Sequence, residues 1–121
     1  MSGLNAIFST ALSGLNAAGV VLDTTASNVA NLDSRGYKAA RANLAEAPRG
    51  GVEVSSVTRD PSPGVLDDQG EELSNVDLAS EMVHLREGAV LYRANAVVVR
   101  VADQMTGTLL DMFDTDRGRR Q

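Results

Sequence analysis

Residues 74–113 read SNVDLASEMVHLREGAVLYRANAVVVRVADQMTGTLLDMF, a long run with no proline. Apolar residues recur in it every three or four positions. Leu78, Met82, Leu85, Ala89, Tyr92, Ala96 and Val99 form one line. A second, offset by about one position, passes through Leu91, Val98, Ala102, Met105, Leu109 and Met112. This spacing predicts a long helix from Ser74 or Asn75 to about Phe113. Ser74, Asn75 and Asp77 all suit an N-cap, and Asp77 and Glu81 place negative charge where the helix dipole favours it. In the C-terminal half the polar stripe narrows to Arg93, Arg100, Gln104 and Asp111. A helix over 75–113 is about 58 Å long, whereas a compact domain of this chain length has a radius of gyration of about 13 to 14 Å. A second helix can cover one face of part of it, not two faces throughout. Each large apolar side chain left in water forgoes about 1.5 to 3 kcal/mol of burial. An exposed patch of that extent is an interaction surface, so self-assembly or addition to an existing bundle is expected.

The N-terminal 31 residues supply the second helix. Leu4, Phe8, Ala11, Leu15, Ala18, Leu22, Thr25 and Val29 alternate in steps of four and three, the spacing of a coiled-coil seam, and Ile7, Leu12 and Val21 widen the stripe. Gly14 and Gly19 each cost about 1 kcal/mol relative to Ala in a helix interior. Beside Ala11, Ala17 and Ala18 they point to close approach of another backbone; the bland alternative is a weak point in a marginal helix. Between the helices the composition changes. Asp33-Ser34-Arg35-Gly36 is turn chemistry. Pro48-Arg49-Gly50-Gly51 and Asp60-Pro61-Ser62-Pro63-Gly64 bracket the alternating run Val52–Val57, which fits one or two short strands or a hairpin. Asp67-Asp68-Gln69-Gly70-Glu71-Glu72 reads as a polar, mobile, solvated loop. The expected fold is mainly α: two long terminal helices packed as an antiparallel coiled-coil-like pair around a short irregular or hairpin middle. The units expected are 1–38, 39–73 and 74–121, the last ending in a basic tail of Arg117, Arg119 and Arg120.

The 121 residues allow one small domain, 43% hydrophobic but only 3% aromatic, with no Trp. Ala, Val and Leu dominate, which suits helix–helix packing. A net charge of −5 argues against nucleic-acid binding, which needs a basic surface. With no Cys there are neither disulfides nor thiolate metal sites. The start, Met1-Ser2-Gly3-Leu4-Asn5, lacks a secretory signal. No apolar run approaches the roughly 20 residues that span a bilayer, so no membrane insertion is expected.

Two motifs resemble a known family. Ala26-Ser27-Asn28-Val29-Ala30-Asn31-Leu32-Asp33-Ser34-Arg35-Gly36-Tyr37-Lys38 is similar to the N-terminal signature of flagellar rod, hook and hook-associated proteins. Ser74-Asn75-Val76-Asp77-Leu78-Ala79-Ser80-Glu81-Met82-Val83 looks like their C-terminal signature; it continues through Tyr92-Arg93-Ala94-Asn95-Ala96 to Leu109-Leu110. The resemblance implies a structural subunit of the flagellar basal-body rod, with terminal helices in concentric axial tubes and a variable middle outside. It also implies export through the flagellar type III apparatus without a cleaved signal, a place in the periplasm-spanning rod, and partners among other rod or hook subunits and copies of itself. The chain departs from the family pattern in two places. Ala89-Val90 stands where members often carry Gln-Arg, and Gly88-Ala89 weakens the helix where a long apolar residue is usual. The short middle points to a small member like the proximal rod proteins, while the C-terminal motif is nearer to the distal rod or hook.

The residues expected at the assembly interface are Leu4, Phe8, Leu15, Leu22, Asn28, Asn31, Gly36, Tyr37, Leu78, Met82, Leu85, Tyr92, Asn95, Val99, Met105 and Leu109. Asn28 and Asn31 suit the free backbone groups of a helix end. Gly36 offers a permissive φ, and Tyr37 an apolar body with a polar tip. Asn95 fits either a register-fixing place in a seam or the edge of the stripe. No catalytic, cofactor or metal site is expected. His84 is the sole histidine and suits a structural or solvent-edge role; Asp67-Asp68 and Glu71-Glu72 lack the rigid setting that acid–base chemistry needs; Gly50-Gly51 lacks the rest of a phosphate loop. The expected role is therefore assembly, with a scaffolding or regulatory protein that borrowed the helices as the main alternative and a free-standing ligand-binding bundle as a weaker one.

Overall fold

The computed structural model describes residues 2–118. Helix α1 spans Ser2–Ala30, strand β1 Ala40–Glu46, strand β2 Val52–Arg59 and helix α2 Leu78–Gly118. The helices pack on each other, and β1 and β2 form a two-stranded antiparallel hairpin between them in sequence. Gly14 meets Asn95, Leu22 meets Gly88 and Asn28 meets Glu81. Partner numbers fall as α1 numbers rise, so the pair is antiparallel, as expected.

The seam is built from small and polar side chains. Ala11, Gly14, Ala17, Ala18, Thr25 and Asn28 are the buried residues of α1, and Glu81, Gly88 and Ala102 those of α2. Glu81, Gly88, Asn95 and Ala102 follow at intervals of seven, which keeps one narrow face toward α1. A Cβ built on Gly14 would overlap the Asn95 amide, and one on Gly88 would lie 3.0 Å from Leu22 Cδ2. Gly14 therefore serves close approach; Gly19 does not, since nothing lies within 4 Å of its Cβ position. Gly88 does not break α2, which runs unbroken through it, with Leu22 lying over its missing side chain.

Three sequence expectations are corrected. The second helix starts at Leu78, not at Ser74 or Asn75, and continues past Phe113 to Gly118. Asp77 is its cap: Oδ1 accepts the Ala79 amide at 3.0 Å and Oδ2 accepts the Ser80 hydroxyl at 3.0 Å. Those two bonds hold the Asp77 carboxyl below its ordinary range. Ser74 and Asn75 are taken by other elements: the Ser74 hydroxyl donates to the Leu32 carbonyl, and Asn75 reaches the hairpin. By length and composition alone α1 does qualify as a membrane-crossing helix, contrary to expectation; in the fold it lays its small-residue face on α2 instead. Arg119 and Arg120 of the basic tail lie outside the described residues, and Arg117 belongs to α2.

The hairpin lies along α1. At its base the Ala40 amide donates to Asn28 Oδ1 at 2.8 Å; at its tip the Val52 amide donates to the Ser13 hydroxyl at 3.1 Å. Gly50 and Gly51 turn the chain at φ of 88° and 87°, conformations that side chains disfavour. Asn43 pairs with Ser56 and Leu44 with Val54, so Ser55 is an extra residue that bulges β2.

These contacts give opposite expectations for two glycines. Gly19→Ala should raise thermal stability by about 1 kcal/mol through helix propensity alone. Gly88→Leu should lower it by about 1 to 3 kcal/mol by forcing the helices apart. Circular-dichroism melting of the two variants checks both signs.

Candidate assembly surface

The axial relation of the three elements rests on a buried polar cluster. Asn28 is 0% exposed, and all four of its amide hydrogen-bonding positions are used. Nδ2 donates to the Ala40 carbonyl at 2.9 Å and to Glu81 Oε2 at 3.1 Å; Oδ1 accepts the Ala40 amide at 2.8 Å and the Tyr37 hydroxyl at 3.1 Å. Glu81, also 0% exposed, receives Arg41 on its other oxygen at 2.6 Å. One carboxylate on α2 thus ties α1 and β1 together. The sequence assigned both Asn28 and Asn31 to the helix end; Asn28 does not serve it, and Asn31 does, donating to the Ser27 carbonyl at 2.9 Å and accepting the Ser34 hydroxyl at 2.9 Å. Gly36 takes a φ of 66° there.

A second asparagine closes the other side. Asn75 Oδ1 accepts the Ala39 amide at 2.7 Å, while Nδ2 donates to the Asp60 and Ser62 carbonyls at 3.0 and 2.8 Å. Tyr37, half-buried, carries the Arg59 guanidinium 5.2 Å from its ring centre. Ion pairs and amide bonds tie the loop between β2 and α2 to the segment after α1. Arg35 pairs with Asp67 and Glu71, and Lys38 with Glu72. Asp67 also accepts the Gln69 and Glu71 amides at 2.9 and 2.8 Å. The Lys38 ammonium and the Gly64 amide hold the Glu72 carboxyl below its ordinary value. A hydroxyl bond and an amide bond from Ser62 do the same for Asp60.

Away from this cluster the molecule is turned out. On α2 the large apolar side chains face solvent: Met82, Val83, Val90, Val97, Val101, Met105, Met112 and Phe113 are all exposed, Phe113 by 69%. The antiparallel register explains the far end. The start of α1 reaches only to the level of about Gly107, so α2 runs on by about 16 Å, at 1.5 Å per residue, with no helix of its own chain beside it. Leu110, Met112 and Phe113 lie on this overhang at 60 to 69% exposure.

The residues expected at an interface divide by exposure. Leu78, Met82, Leu85, Tyr92, Met105 and Leu109 are exposed. Leu4, Phe8, Leu15, Leu22, Asn31, Tyr37, Asn95 and Val99 are half-buried, Asn28 is buried, and Gly36 is exposed in its turn. Asn95 sits in the seam, its amide donating to the Leu91 carbonyl at 2.9 Å. Sequence reasoning missed Glu81 as a hub, together with Arg41 and Asn75. It gave Glu81 to the helix dipole, and the signal that could have found it was the seven-residue spacing it shares with Gly88, Asn95 and Ala102. His84 is half-buried, with Nδ1 unpartnered, and among the described residues no three metal-binding side chains converge.

The model of the flagella basal body rod protein matches residues 8–38, which contain Asn28 and Tyr37. That of the flagellar basal body rod FlgEFG protein C-terminal matches residues 69–112, which contain Asn75 and Glu81. The chain belongs to the flagellar rod and hook axial protein family. It is also similar to the flagellar hook protein FlgE of Escherichia coli (strain K12) and of Salmonella typhimurium (strain LT2), with 34% identity over 95 residues in each case. The match takes in 73% of this chain and 24% of each hook protein. Asn28, Tyr37, Asn75 and Glu81 thus fall within the matched segments, whereas Arg41 lies between them.

Glu81→Ala should cost about 1 to 3 kcal/mol, because it strands one buried Asn28 donor, while Arg41, 37% exposed, can turn to water. Glu81→Gln, which keeps an oxygen for Arg41, should cost less; chemical denaturation ranks the two. Glu72 sets an acid dependence. Its folded pKa lies below the ordinary 4.5, so its contribution is present above 4.5 and is lost as pH falls through the lower folded value. The protection factor of the Gly64 amide, its exchange rate corrected for the intrinsic pH dependence, should therefore fall below pH 4.5 in the wild type and stay level over this range in Glu72→Gln.

Proposed function

We propose that the chain is a structural subunit of the flagellar basal-body rod, which assembles through its terminal helices with rod or hook neighbours and copies of itself. The observation that carries this reading is α2: one face spent on a seam of small residues, the large side chains left outside, and an overhang beyond the end of α1. Burying those side chains between subunits supplies stabilisation that the single chain forgoes. Leu78, Met82, Leu85, Tyr92, Met105 and Leu109 contact neighbours directly. The half-buried Leu4, Phe8, Leu15, Leu22 and Val99, with Asn28, Asn31, Gly36, Tyr37 and Asn95, hold the helices and hairpin in the assembled pose. The organisation is an axial unit over 1–38, a short outer unit over 39–73 and a second axial unit over 74–121. The hairpin, carried on α1 away from the exposed stripe of α2, suits the outer position.

In this reading the chain acts by assembly and not by catalysis, without a cofactor. It leaves the cytoplasm through the flagellar type III apparatus without cleavage, and occupies the rod. The short middle favours a rod position over a hook position, since little chain is available to build outer domains.

Purified basal bodies should contain the chain, and Val97→Asp together with Leu110→Asp should abolish both its incorporation and swimming while leaving helix content unchanged. Normal motility in a strain lacking the chain, or basal bodies without it, would overturn the assignment.

A further inference from the structure

Among the described residues the most exposed large apolar side chain is Val65, at 73%, and its neighbour Leu66 follows at 63%. The backbone that carries them is closed on itself. The Leu73 amide donates to the Val65 carbonyl at 2.8 Å, Leu66 bridges Glu72, and the Asp67 and Gly70 amides donate to the Glu71 and Asp67 carbonyls at 2.9 and 3.0 Å. Arg35, through Asp67 and Glu71, and the Gly36 amide, at 2.9 Å from the Glu72 carbonyl, fasten this small loop to the segment that leaves α1. Two uncovered apolar side chains on a fixed backbone make a preformed knob, which docks with little further cost of ordering. Val65, Leu66 and Asp68 lie between the two segments that the family models match.

A groove that suits such a knob lies on the N-terminal half of α2. It is open, encloses about 640 Å3, and is lined by Val83, Arg86, Glu87, Val90, Leu91 and Ala94. Val83, Val90 and Ala94 align along the helix, and Arg86 and Glu87 fall to either side of that line. The line is turned away from the Glu81–Gly88–Asn95 seam, so α1 leaves it open. Arg86 is exposed, and among the described residues it pairs with no carboxylate; Asp68, beside the knob, is exposed and likewise free of ion pairs. The knob is carried on the turn after α1 and the groove on the face of α2 that points away from α1, so a chain cannot fill its own groove. A second copy can. Entry with Asp68 toward Arg86 joins opposite charges, whereas the reverse entry sets Asp68 against Glu87, so charge fixes the direction.

We propose that the Val65–Leu66 knob of one copy seats in the groove between Arg86 and Glu87 on α2 of the next, with Asp68 against Arg86. Knob and groove are different surfaces on opposite sides of one molecule, so the contact is heterologous. Each copy that receives a knob presents its own, and the assembly stays open. The contact rests on the assembly reading above and names what covers the N-terminal part of the outer stripe. Val97, Val101, Met105 and the overhang stay free for other neighbours.

The chain has no cysteine, so introduced cysteines report the geometry in the purified full-length protein at high micromolar concentration. Leu66→Cys mixed with Val90→Cys should cross-link on oxidation, and neither variant should do so by itself. The double variant should give a ladder of multimers. In that background Arg86→Glu should lower the cross-linked yield about threefold, and adding Asp68→Arg should restore it. Val90→Cys linking to itself would set stripe against stripe, and Leu66→Cys linking to itself knob against knob; either overturns the proposal. So does a double variant without a ladder, or Arg86→Glu that leaves the yield unchanged. A ladder from a chain that is missing from basal bodies sinks only the rod assignment; a chain present in basal bodies that gives no ladder sinks only this contact.

Discussion

The structure depends on burying one carboxylate. Glu81 is the largest fully buried side chain, in a chain with almost no large apolar residue in its interior. A charge in that position is tolerable only with partners on both oxygens, and the partners come from two other elements: Asn28 from α1 and Arg41 from β1. None of the three elements can slide or rotate without stranding a buried polar group. A seam of Ala, Gly and Thr would not by itself select a register, because small side chains interdigitate weakly. The polar cluster at one end and the Gly14–Asn95 contact further along give the helix pair a single alignment.

That division of labour explains why the molecule is inverted relative to an ordinary globular domain. The side chains with most to gain from burial are outside, and those with least are inside. Close helix approach maximises backbone and methyl packing inside the chain, while Val, Leu, Met and Phe remain for other molecules. The hairpin fits the same logic. Two isolated strands are marginal, and here they are fastened to the helices at Ala40 by Asn28, at Ala39 by Asn75 and at Val52 by Ser13.

How much of this the sequence made legible depended on the range of each interaction. The seam of α1 was readable because Ala11, Ala18 and Thr25 share a face with the half-buried Leu4, Phe8, Leu15, Leu22 and Val29. For α2 the periodicity revealed a helix with more than one apolar stripe but not which stripe its own chain would take. The eye follows Leu and Met, and the fold follows Glu81, Gly88, Asn95 and Ala102. Strand β1, ARANLAE, carries no β-branched or aromatic residue and so gives no strand signal; pairing with β2 and the two asparagine clamps make it one. The acidic loop at 67–72 read as mobile because its cations, Arg35 and Lys38, lie about thirty residues away in the chain. Asn28 read as a helix-end residue for the same reason, its partner Glu81 being 53 positions distant.

The two faces of α2 also differ in what they can tolerate. The inner face is intolerant of volume, since a methyl group at Gly14 or Gly88 meets the opposite helix at once. The outer face is open and admits many side chains without strain inside the monomer. The hydrophobicity of the outer face therefore adds little to the stability of the single chain. A helix of a self-sufficient protein would carry charge there, as surface helices do. Val90, Val97, Val101, Met105 and Met112 share this outer face and are all exposed, so the fold of the single chain leaves the free energy of their burial unused.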